Sequence, residues 1–263
     1  MKIGIIGCGH MGGAIAKALL LEAKNSITVG APRAPHLSVS ASQKKRLSWL
    51  TDNREVARKA EVVIIAVKPN LAEEVLRELA PELKKQLVIS VAAGLTLASM
   101  VKWSGGYKRI VRTIPNLPAQ VLEGLTVWKA AAGVTQADKK KTAAVLASFG
   151  GEIEVKRERM IDWAVVSGSS PAFVAAFMES LARVAVKGGF SQKQARQLAL
   201  QSVFGATCYI AKTGVDFGEL KKAVQTKGGA TEAAFKVLND KKWQQALESG
   251  LIAAKNRCQQ MGK

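Results

Sequence analysis

The stretch that decides the fold is the amino-terminal sequence MKIGIIGCGHMGGAIAKALL, Met1–Leu20. Its apolar run Ile3–Ile6 predicts a short buried strand. The run Ala14–Leu20 predicts a helix that begins soon after that strand ends. Glycines in the spacing G-x-G-x-x-G stand between the two. The segment therefore predicts a strand–turn–helix unit whose turn is built mainly from glycine.

Each glycine of this turn has its own physical reason to be glycine. Gly7 permits the tight turn out of the strand, Gly9 lets a pyrophosphate approach the backbone, and Gly12 lets the helix pack closely on the strand. The amino end of the helix adds free amides and a partial positive charge, which favour a phosphate group. The spacing alone is weak evidence, but with a strand before it and a helix after it the turn predicts a dinucleotide site.

The segments that follow alternate strands and helices. Near-continuous β-branched runs predict further strands, as expected where helices cover both faces of a sheet. These strands are Ser26–Gly30, Glu61–Val67, Leu87–Val91 and Arg109–Ile114, with Leu125–Trp128 and Glu152–Val155 as candidates to extend the sheet. Helices are predicted at 53–60, 71–79 and 137–149. The alternation indicates a doubly wound parallel α/β sheet of Rossmann type.

After about Arg157 the strand signals end and alanine-rich helical periodicity begins. Phe173, Phe177, Leu181 and Val184 share one helix face by their spacing. Further helices are predicted at 192–211, 217–224 and 241–258. We therefore expect a dinucleotide-binding domain over 1–157 and an all-α domain over 158–263. The many small residues of the all-α domain suit close packing of helices. That packing could occur in an interlocked homodimer or in a helical cap on the chain's own sheet.

Charge composition bears on the partners of the protein. Thirty-nine Lys and Arg residues against 20 Asp and Glu give a net charge of +19. The basic residues are spread along the chain, and the runs Lys44–Arg46 and Lys139–Lys141 lack interleaved aromatics, so we expect no nucleic-acid partner. A basic surface would favour anionic ligands, although the sequence does not explain why the charge is so high.

Cysteine usage and hydropathy bear on location. The scattered Cys8, Cys208 and Cys258 show neither a metal-binding spacing nor a disulfide framework, so we expect no metal site and a reducing cytoplasm. No stretch is expected to be apolar for long enough to span a bilayer, and no membrane partner is expected.

The end of the second predicted strand indicates which coenzyme is used. Sites that prefer NAD carry an acidic residue there to hold the ribose 2′-hydroxyl. This strand instead ends in Gly30-Ala31-Pro32-Arg33, without a carboxylate. Arg33 is placed to meet a 2′-phosphate, so we predict NADPH in preference to NADH. An arginine that simply faces solvent in a loop is the alternative.

Two later segments suggest places where the backbone meets an anion. In Ser167–Pro171, Ser170 can cap a helix that begins at Pro171. In Thr226–Thr231, paired glycines let the chain curl just before a helix, and its amides and hydroxyls can bind a carboxylate. Ordinary caps and turns are the other interpretation of both segments, and the residues do not decide between them.

The chain lacks the usual acid–base apparatus. Its histidines are His10 in the glycine turn and His36 in a predicted surface loop, and no Ser-His-Asp set or metal cluster is apparent. Hydride transfer to an already activated iminium needs no strong acid or base, since the coenzyme does the difficult chemistry. This absence favours imine reduction over alcohol dehydrogenation.

At these motifs the chain resembles the pyrroline-5-carboxylate reductases, the enzymes of the last step of proline biosynthesis, along essentially its full length. The segments that carry the resemblance are Gly4–Met11, Ala66–Pro69, Ser90–Gly94, Val111–Ala119, Ser167–Phe173 and Lys227–Thr231. The resemblance implies NADPH-dependent reduction of 1-pyrroline-5-carboxylate to L-proline. It also implies a homodimer whose substrate loop reaches the neighbouring subunit's coenzyme, with further assembly that is commonly decameric.

Site residues follow from the resemblance, together with the argument for Arg33. The coenzyme-binding residues would be Gly7, Gly9, His10, Met11, Gly12, Arg33, Asn53, Ala66, Val67, Lys68, Pro69, Ala92 and Asn116. The substrate-binding residues would be Thr226, Gly228, Gly229, Ala230 and Thr231. Thr231 would be the catalytic residue, in contact with the ring nitrogen, and no residue would bind a metal.

Departures from the family pattern keep other functions open. Members usually carry Gly at the position of Ser170 and Ser-Pro at Thr226-Lys227, and Leu117 and Phe173 also differ. These differences leave room for a paralogue acting on another cyclic imine, or for a non-catalytic NADPH-binding regulator. A β-hydroxyacid dehydrogenase is disfavoured, because that family uses a lysine at the helix start and the segment 167–173 has none.

Overall fold

The structure, a computed structural model, describes residues 1–261. The strands are β1 (Lys2–Ile6), β2 (Ser26–Gly30), β3 (Leu47–Leu50), β4 (Val62–Ile65), β5 (Leu87–Ser90), β6 (Ile110–Ile114), β7 (Gly124–Ala130) and β8 (Gly150–Glu154). The helices are α1 (His10–Leu21), α2 (Ala41–Lys44), α3 (Asn53–Lys59), α4 (Ala72–Leu79), α5 (Leu97–Trp103), α6 (Gln136–Ala147), α7 (Val165–Lys187), α8 (Gln192–Thr213), α9 (Phe217–Val224), α10 (Ala230–Asp240) and α11 (Trp243–Met261). Short 3-10 turns lie at Pro69–Leu71, Ala80–Glu82, Leu117–Val121 and Glu158–Ala164.

The strands form one sheet in the order β3-β2-β1-β4-β5-β6-β7-β8. The predicted Rossmann-type α/β fold is confirmed, because the neighbouring strands from β3 to β6 are all parallel. The pair β6–β7 is antiparallel, with Val111 opposite Ala130, which the sequence interpretation did not foresee. A short 3-10 turn joins these two strands, and only antiparallel neighbours can be joined so briefly. The edge strand β3 was also missed.

Apolar side chains cover both faces of the sheet. On one face α1 and α6 pack through buried residues that include Ile5, Leu19, Leu146 and Phe149. On the other face α3, α4 and α5 pack through Ile6, Val56, Leu76 and Met100. Burying each such side chain contributes about 1.5–3 kcal/mol to folding. The two layers hold the strand ends, and therefore the turns that leave them, in fixed positions.

The chain forms two compact units. The first comprises Met1–Gly168 together with the carboxy-terminal segment from Ala254, and the second comprises Ser169–Ala253. The second unit is entirely helical, as predicted, but in a single chain it has almost no interior. Within 169–253 only Ala195 and Ala199 are buried. Large apolar side chains on its surface include Phe177, Val184, Leu200, Phe204 and Phe217. Large exposed apolar surfaces of this kind mark sites of contact with another protein or with a membrane.

One prediction about the start of a helix is wrong. Ser170 does not cap a helix that starts at Pro171, because α7 already begins at Val165 and contains Pro171 in its interior. The 3-10 turn Glu158–Ala164 leads directly into α7, so the helical backbone is established before the proline is reached.

The expectation about membrane-spanning length is also wrong. The helical stretch Glu158–Lys187 is long and apolar enough, by length and composition alone, to cross a bilayer. One such helix is weak evidence for a membrane, because helices packed inside proteins have the same length and composition. The exposed apolar residues of α7 are equally consistent with a protein interface.

Candidate coenzyme and substrate sites

The carboxyl ends of the parallel strands meet at one edge of the sheet. β1 lies between β2 and β4, and the strand order reverses direction at this point. In open α/β sheets, ligands bind in the crevice outside the strand ends where the order reverses. The predicted coenzyme residues follow β1, β2, β3, β4, β5 and β6, so the topology brings them to this edge.

The glycine turn has the geometry that its spacing predicted. Gly7 has a φ of 93°, which disfavours any other residue, and its N–H donates to the Gly30 carbonyl at 2.9 Å. A Cβ at Gly12 would lie 2.2 Å from the Gly7 carbonyl oxygen, so no side chain fits between helix and turn. A Cβ at Gly9 would meet nothing within 4 Å, which leaves open space beside the turn.

That open space lies at the amino end of α1. Gly9 is the cap residue and provides no side-chain acceptor, and the first turn contains no acidic residue. The first amides of the helix, at His10 and Met11, have no partner within the helix itself. A cavity of 460 Å³ adjoins them and is lined by Gly9, His10, Lys17 and His36 among others, with no carboxylate. This arrangement fits the pyrophosphate of a dinucleotide.

The thiol of Cys8 lies beside the same turn. Burial raises the pKa of the Cys8 thiol, and the nearby charge of Lys17 only partly opposes this effect. The raised pKa keeps the thiol protonated at neutral pH. Cys8 therefore acts as a small packing residue, since a reactive cysteine requires the thiolate.

The end of β2 lies beside Asn53 and is followed by the loop that contains Arg33. Asn53 is the first residue of α3, and its Oδ1 would lie 2.7 Å from a Cβ at Gly30. Its Nδ2 donates to Glu78 at 3.0 Å, which fixes the orientation of the amide. Arg33 is exposed in the loop that follows β2. The structure therefore brings Asn53 to the end of β2 and leaves Arg33 in contact with solvent.

The opposite side of the crevice is formed by the turns after β4 and β5. The N–H of Ala66 donates to the Ile6 carbonyl at 2.8 Å, which holds this turn against the glycine turn. Val67 follows Ala66 and is half-buried. Lys68 is exposed and precedes a 3-10 turn that begins at Pro69. Ala92 is buried just after β5. Residues 66 and 92 thus place small side chains at these two turns.

Asn116, the last predicted coenzyme residue, is engaged within the protein at both ends of its amide. Its Oδ1 accepts from the N–H of Leu125 at 2.8 Å, and its Nδ2 donates to the carbonyl of Ser167 at 3.2 Å. In a regular helix the backbone N–H of residue 171 would donate to the Ser167 carbonyl, but Pro171 has no N–H. The Asn116 amide therefore supplies the donor that the proline removes from α7.

A buried ion-pair cluster supports the same region. Arg112, at 6% exposure, pairs through Nη1 with Glu158 at 3.0 Å and through Nη2 with Asp162 at 3.1 Å. Glu158 also accepts from the N–H of Leu97 at 2.6 Å. The cluster anchors the turn at 158–164 onto β6. The sequence interpretation assigned Arg112 no role, although a charge inside a buried strand requires a partner.

The predicted substrate loop lies at the amino end of α10. Gly228 has a φ of 75°, and Gly229 is the helix cap, whose N–H donates to the Thr226 carbonyl at 3.0 Å. A Cβ at Gly229 would lie 2.5 Å from Thr226 Oγ1. Ala230 and Thr231 begin the helix, with Thr231 half-buried. The five predicted substrate residues therefore lie within one six-residue segment at the amino end of α10.

A residue of this loop that the sequence interpretation missed is Glu232. Its Oε2 accepts a hydrogen bond from the N–H of Gly228 at 2.7 Å. An acidic residue three positions after a helix cap is a known signal for a side chain that reaches back to the loop amides. That signal was present in the spacing from Gly229 to Glu232.

Across residues 1–261 the structure contains no group of three or more His, Cys, Asp or Glu side chains that could hold a metal ion.

Comparison with known proteins places the chain in one family. A family model for pyrroline-5-carboxylate reductase dimerisation matches residues 158–261, and one for NADP oxidoreductase, coenzyme F420-dependent, matches residues 2–94. The chain is 36% identical to pyrroline-5-carboxylate reductase of Escherichia coli (strain K12), over 100% of this chain and 98% of that protein. It is 35% identical to the Synechocystis enzyme of the same name, over 100% and 99%.

Solved structures give the same result. A pyrroline-5-carboxylate reductase from Coxiella burnetii superposes with a TM-score of 0.91 at 33% identity, covering 99% of this chain and 98% of that chain. The Plasmodium falciparum pyrroline carboxylate reductase with NADP bound gives a TM-score of 0.88 at 28% identity, covering 100% and 98%. The chain therefore belongs to the pyrroline-5-carboxylate reductase family.

Proposed function

We propose that the protein reduces 1-pyrroline-5-carboxylate to L-proline with NAD(P)H, and prefers NADPH. In this reaction the C=N bond takes up one hydride at carbon and one proton at nitrogen, and NAD(P)H becomes NAD(P)⁺. The observation that carries the proposal is membership of the family over the whole length of the chain. It explains why one chain has both a dinucleotide turn and a glycine loop suited to a carboxylate.

We assign coenzyme binding to residues 1–157. The free amides of His10 and Met11 and the open space at Gly9 would receive the pyrophosphate. Arg33 would pair with the 2′-phosphate, and the turns containing Ala66 and Ala92 would bound the nicotinamide ring. When bound, the nicotinamide supplies the hydride. The protein's task is then to position the ring and exclude water.

We assign substrate binding to the loop Thr226–Thr231, within residues 158–263. The amides around Gly228 and Gly229 would hold the substrate carboxylate, and the Thr231 hydroxyl would contact the ring nitrogen. Basic residues outnumber acidic residues by 39 to 20, and a basic surface attracts a carboxylate substrate. Thr231→Ala is expected to raise the KM for the imine more than the KM for NADPH. A larger effect on NADPH would contradict this placement.

The protein forms an oligomer with itself, and we propose a homodimer that assembles further, up to a decamer. Support comes from the helical unit, where only Ala195 and Ala199 are buried in a single chain. A second copy would cover the exposed apolar surface of α7 and α8. We propose a cytoplasmic location without a membrane or nucleic-acid partner.

The deciding experiment is coenzyme oxidation by the purified protein, with five- and six-membered cyclic imino acids and with both NADPH and NADH. We expect the highest kcat/KM with 1-pyrroline-5-carboxylate and NADPH. A preference for the six-membered ring would identify a paralogue with another substrate. Tight NADPH binding without turnover of any imine would identify a regulator instead.

A further inference from the structure

The amide of Gly228 already binds a carboxylate, and that carboxylate belongs to the chain itself. Oε2 of Glu232 lies 2.7 Å from the Gly228 nitrogen, a short distance typical of hydrogen bonds to charged acceptors. The neighbouring loop amide, at Gly229, donates instead to the Thr226 carbonyl. Gly228 is thus a loop amide that already donates to an anion.

Glu232 brings the same chemical group to this amide as the substrate would. Both are carboxylates, and one N–H makes a strong hydrogen bond to only one of them at a time. Glu232 stands in the first turn of α10, and it is exposed, so its side chain is free to rotate away. When it rotates away, its negative charge remains within a few ångströms of the loop.

We infer that Glu232 is a specificity-determining residue that competes with the substrate carboxylate for the Gly228 amide. The inference rests on the proposed binding of that carboxylate at Gly228–Thr231. Glu232 thereby weakens substrate binding and leaves the hydride step untouched, because its contact is with a loop amide. Glu232 also disfavours anions of low affinity, since any anion that binds the Gly228 amide must first displace the Glu232 carboxylate.

The test is the substitution Glu232→Gln. Glutamine keeps an oxygen that can accept from Gly228, so the loop conformation is retained. Its neutral oxygen is a weaker acceptor than a carboxylate, so it competes less with the substrate, and the negative charge is removed. Two unit charges about 4 Å apart in water repel by an energy equivalent to a change of about fivefold in affinity. We expect the KM for 1-pyrroline-5-carboxylate to fall about fivefold. The values of kcat and of the KM for NADPH should stay as in the wild type.

Two controls separate this role from a general effect of charge. Glu219→Gln removes the same charge at the third position of α9, away from the loop, and should leave the KM unchanged. The second control is the substrate 1-pyrroline, which lacks the carboxylate. Its KM should be the same for Glu232→Gln and the wild type.

The outcomes distinguish this inference from the proposed function. A wild-type protein that does not turn over 1-pyrroline-5-carboxylate overturns both. Turnover by the wild type, with an unchanged or raised KM in Glu232→Gln, overturns the role of Glu232 alone. An equal fall in KM for 1-pyrroline and for the carboxylated substrate also overturns it, because competition for the amide acts only on a carboxylate.

Discussion

The side-chain amide of Asn116 takes the place of a missing backbone donor at Ser167. Its Nδ2 lies 3.2 Å from the Ser167 carbonyl oxygen, four residues before Pro171. The same side chain accepts from the N–H of Leu125 at 2.8 Å, so one amide connects the β6–β7 turn to the first turns of α7. A proline inside a helix is costly because of the hydrogen bond that it removes, and here that bond is replaced from outside the helix.

This relationship predicts coupling between Asn116 and Pro171. Asn116→Ala should lower the free energy of unfolding by about 1–2 kcal/mol, because it leaves the half-buried Leu125 N–H and Ser167 carbonyl without this partner. In a Pro171→Ala background position 171 regains an N–H, so the loss caused by Asn116→Ala should be smaller by about 1 kcal/mol. Denaturant unfolding of the four proteins measures the coupling. Additive effects would show that Asn116 and Pro171 act independently.

The glycine turn predicts different outcomes for two similar substitutions. Gly12→Ala should destabilise the protein and abolish NADPH binding, because its Cβ would lie 2.2 Å from the Gly7 carbonyl. Gly9→Ala meets no atom within 4 Å, so it should unfold like the wild type. Its methyl group should nevertheless weaken NADPH binding at least about tenfold, a cost of about 1.4 kcal/mol.

Thermal unfolding and fluorescence titration with NADPH distinguish the two glycine variants. If the Gly9→Ala protein is stable and binds NADPH with normal affinity, the pyrophosphate does not bind beside Gly9.

Arg33 should determine the preference of the protein for NADPH over NADH. Arg33→Asp is expected to weaken NADPH binding by about tenfold to a hundredfold, the range for a lost hydrogen bond to a charged group. NADH has no 2′-phosphate and serves as the internal control, so its affinity should change little. Binding constants for both coenzymes measured at several salt concentrations test this. Equal losses for NADPH and NADH would mean that Arg33 does not contact the 2′-phosphate.

Asp138 should make stability depend on pH in the acidic range. Burial would raise the pKa of Asp138, but hydrogen bonds from Arg109 and Thr135 outweigh it and hold the pKa below its ordinary value. The Arg109 Nη2 lies 2.7 Å from Asp138 Oδ1, and the Asp138 side chain is 3% exposed. Because the folded pKa is below the unfolded pKa, Asp138 contributes stability above the unfolded value. That stability is lost as the pH falls through the folded value.

We therefore expect the free energy of unfolding to decline as the pH falls below about 5. Asp138→Asn should cost about 1–2 kcal/mol at neutral pH and should reduce this decline. Denaturant unfolding as a function of pH checks both expectations. Glu61→Gln, at an exposed position, is the control and should keep the wild-type dependence. An unchanged pH dependence in Asp138→Asn would rule out this carboxylate as its source.

The exposed face of α7 should hold the oligomer together. Val184 is 68% exposed in the single chain, and Val184→Asp should shift the protein to a smaller species in sedimentation or light-scattering measurements. Val121→Asp is a matched control, because Val121 is 69% exposed but lies in the first unit. An unchanged mass for Val184→Asp would place the interface on another face of the helical unit.

Local sequence patterns accounted for much of the fold. β-branched runs located seven of the eight strands within a few residues, because a strand buried on both faces must be continuously apolar. The edge strand Leu47–Leu50 escaped, since only half of its residues are shielded and its pattern is correspondingly weak. The start of α7 was predicted wrongly because Ser-Pro is a common beginning of a helix. The 3-10 turn before α7 has no comparable local sequence pattern.

The amino-acid sequence by itself determined the glycine turn, the alternation of strands and helices, and the change to an all-helical region. These features depend on residues that are close in the chain, so their spacing is visible in the sequence. Only the tertiary structure decided that β7 runs antiparallel to β6, that Asn116 serves Ser167 across 51 residues, and that Arg112 is neutralised by Glu158 and Asp162. The physical reason is that a buried donor or charge requires a partner but does not specify which distant residue provides it.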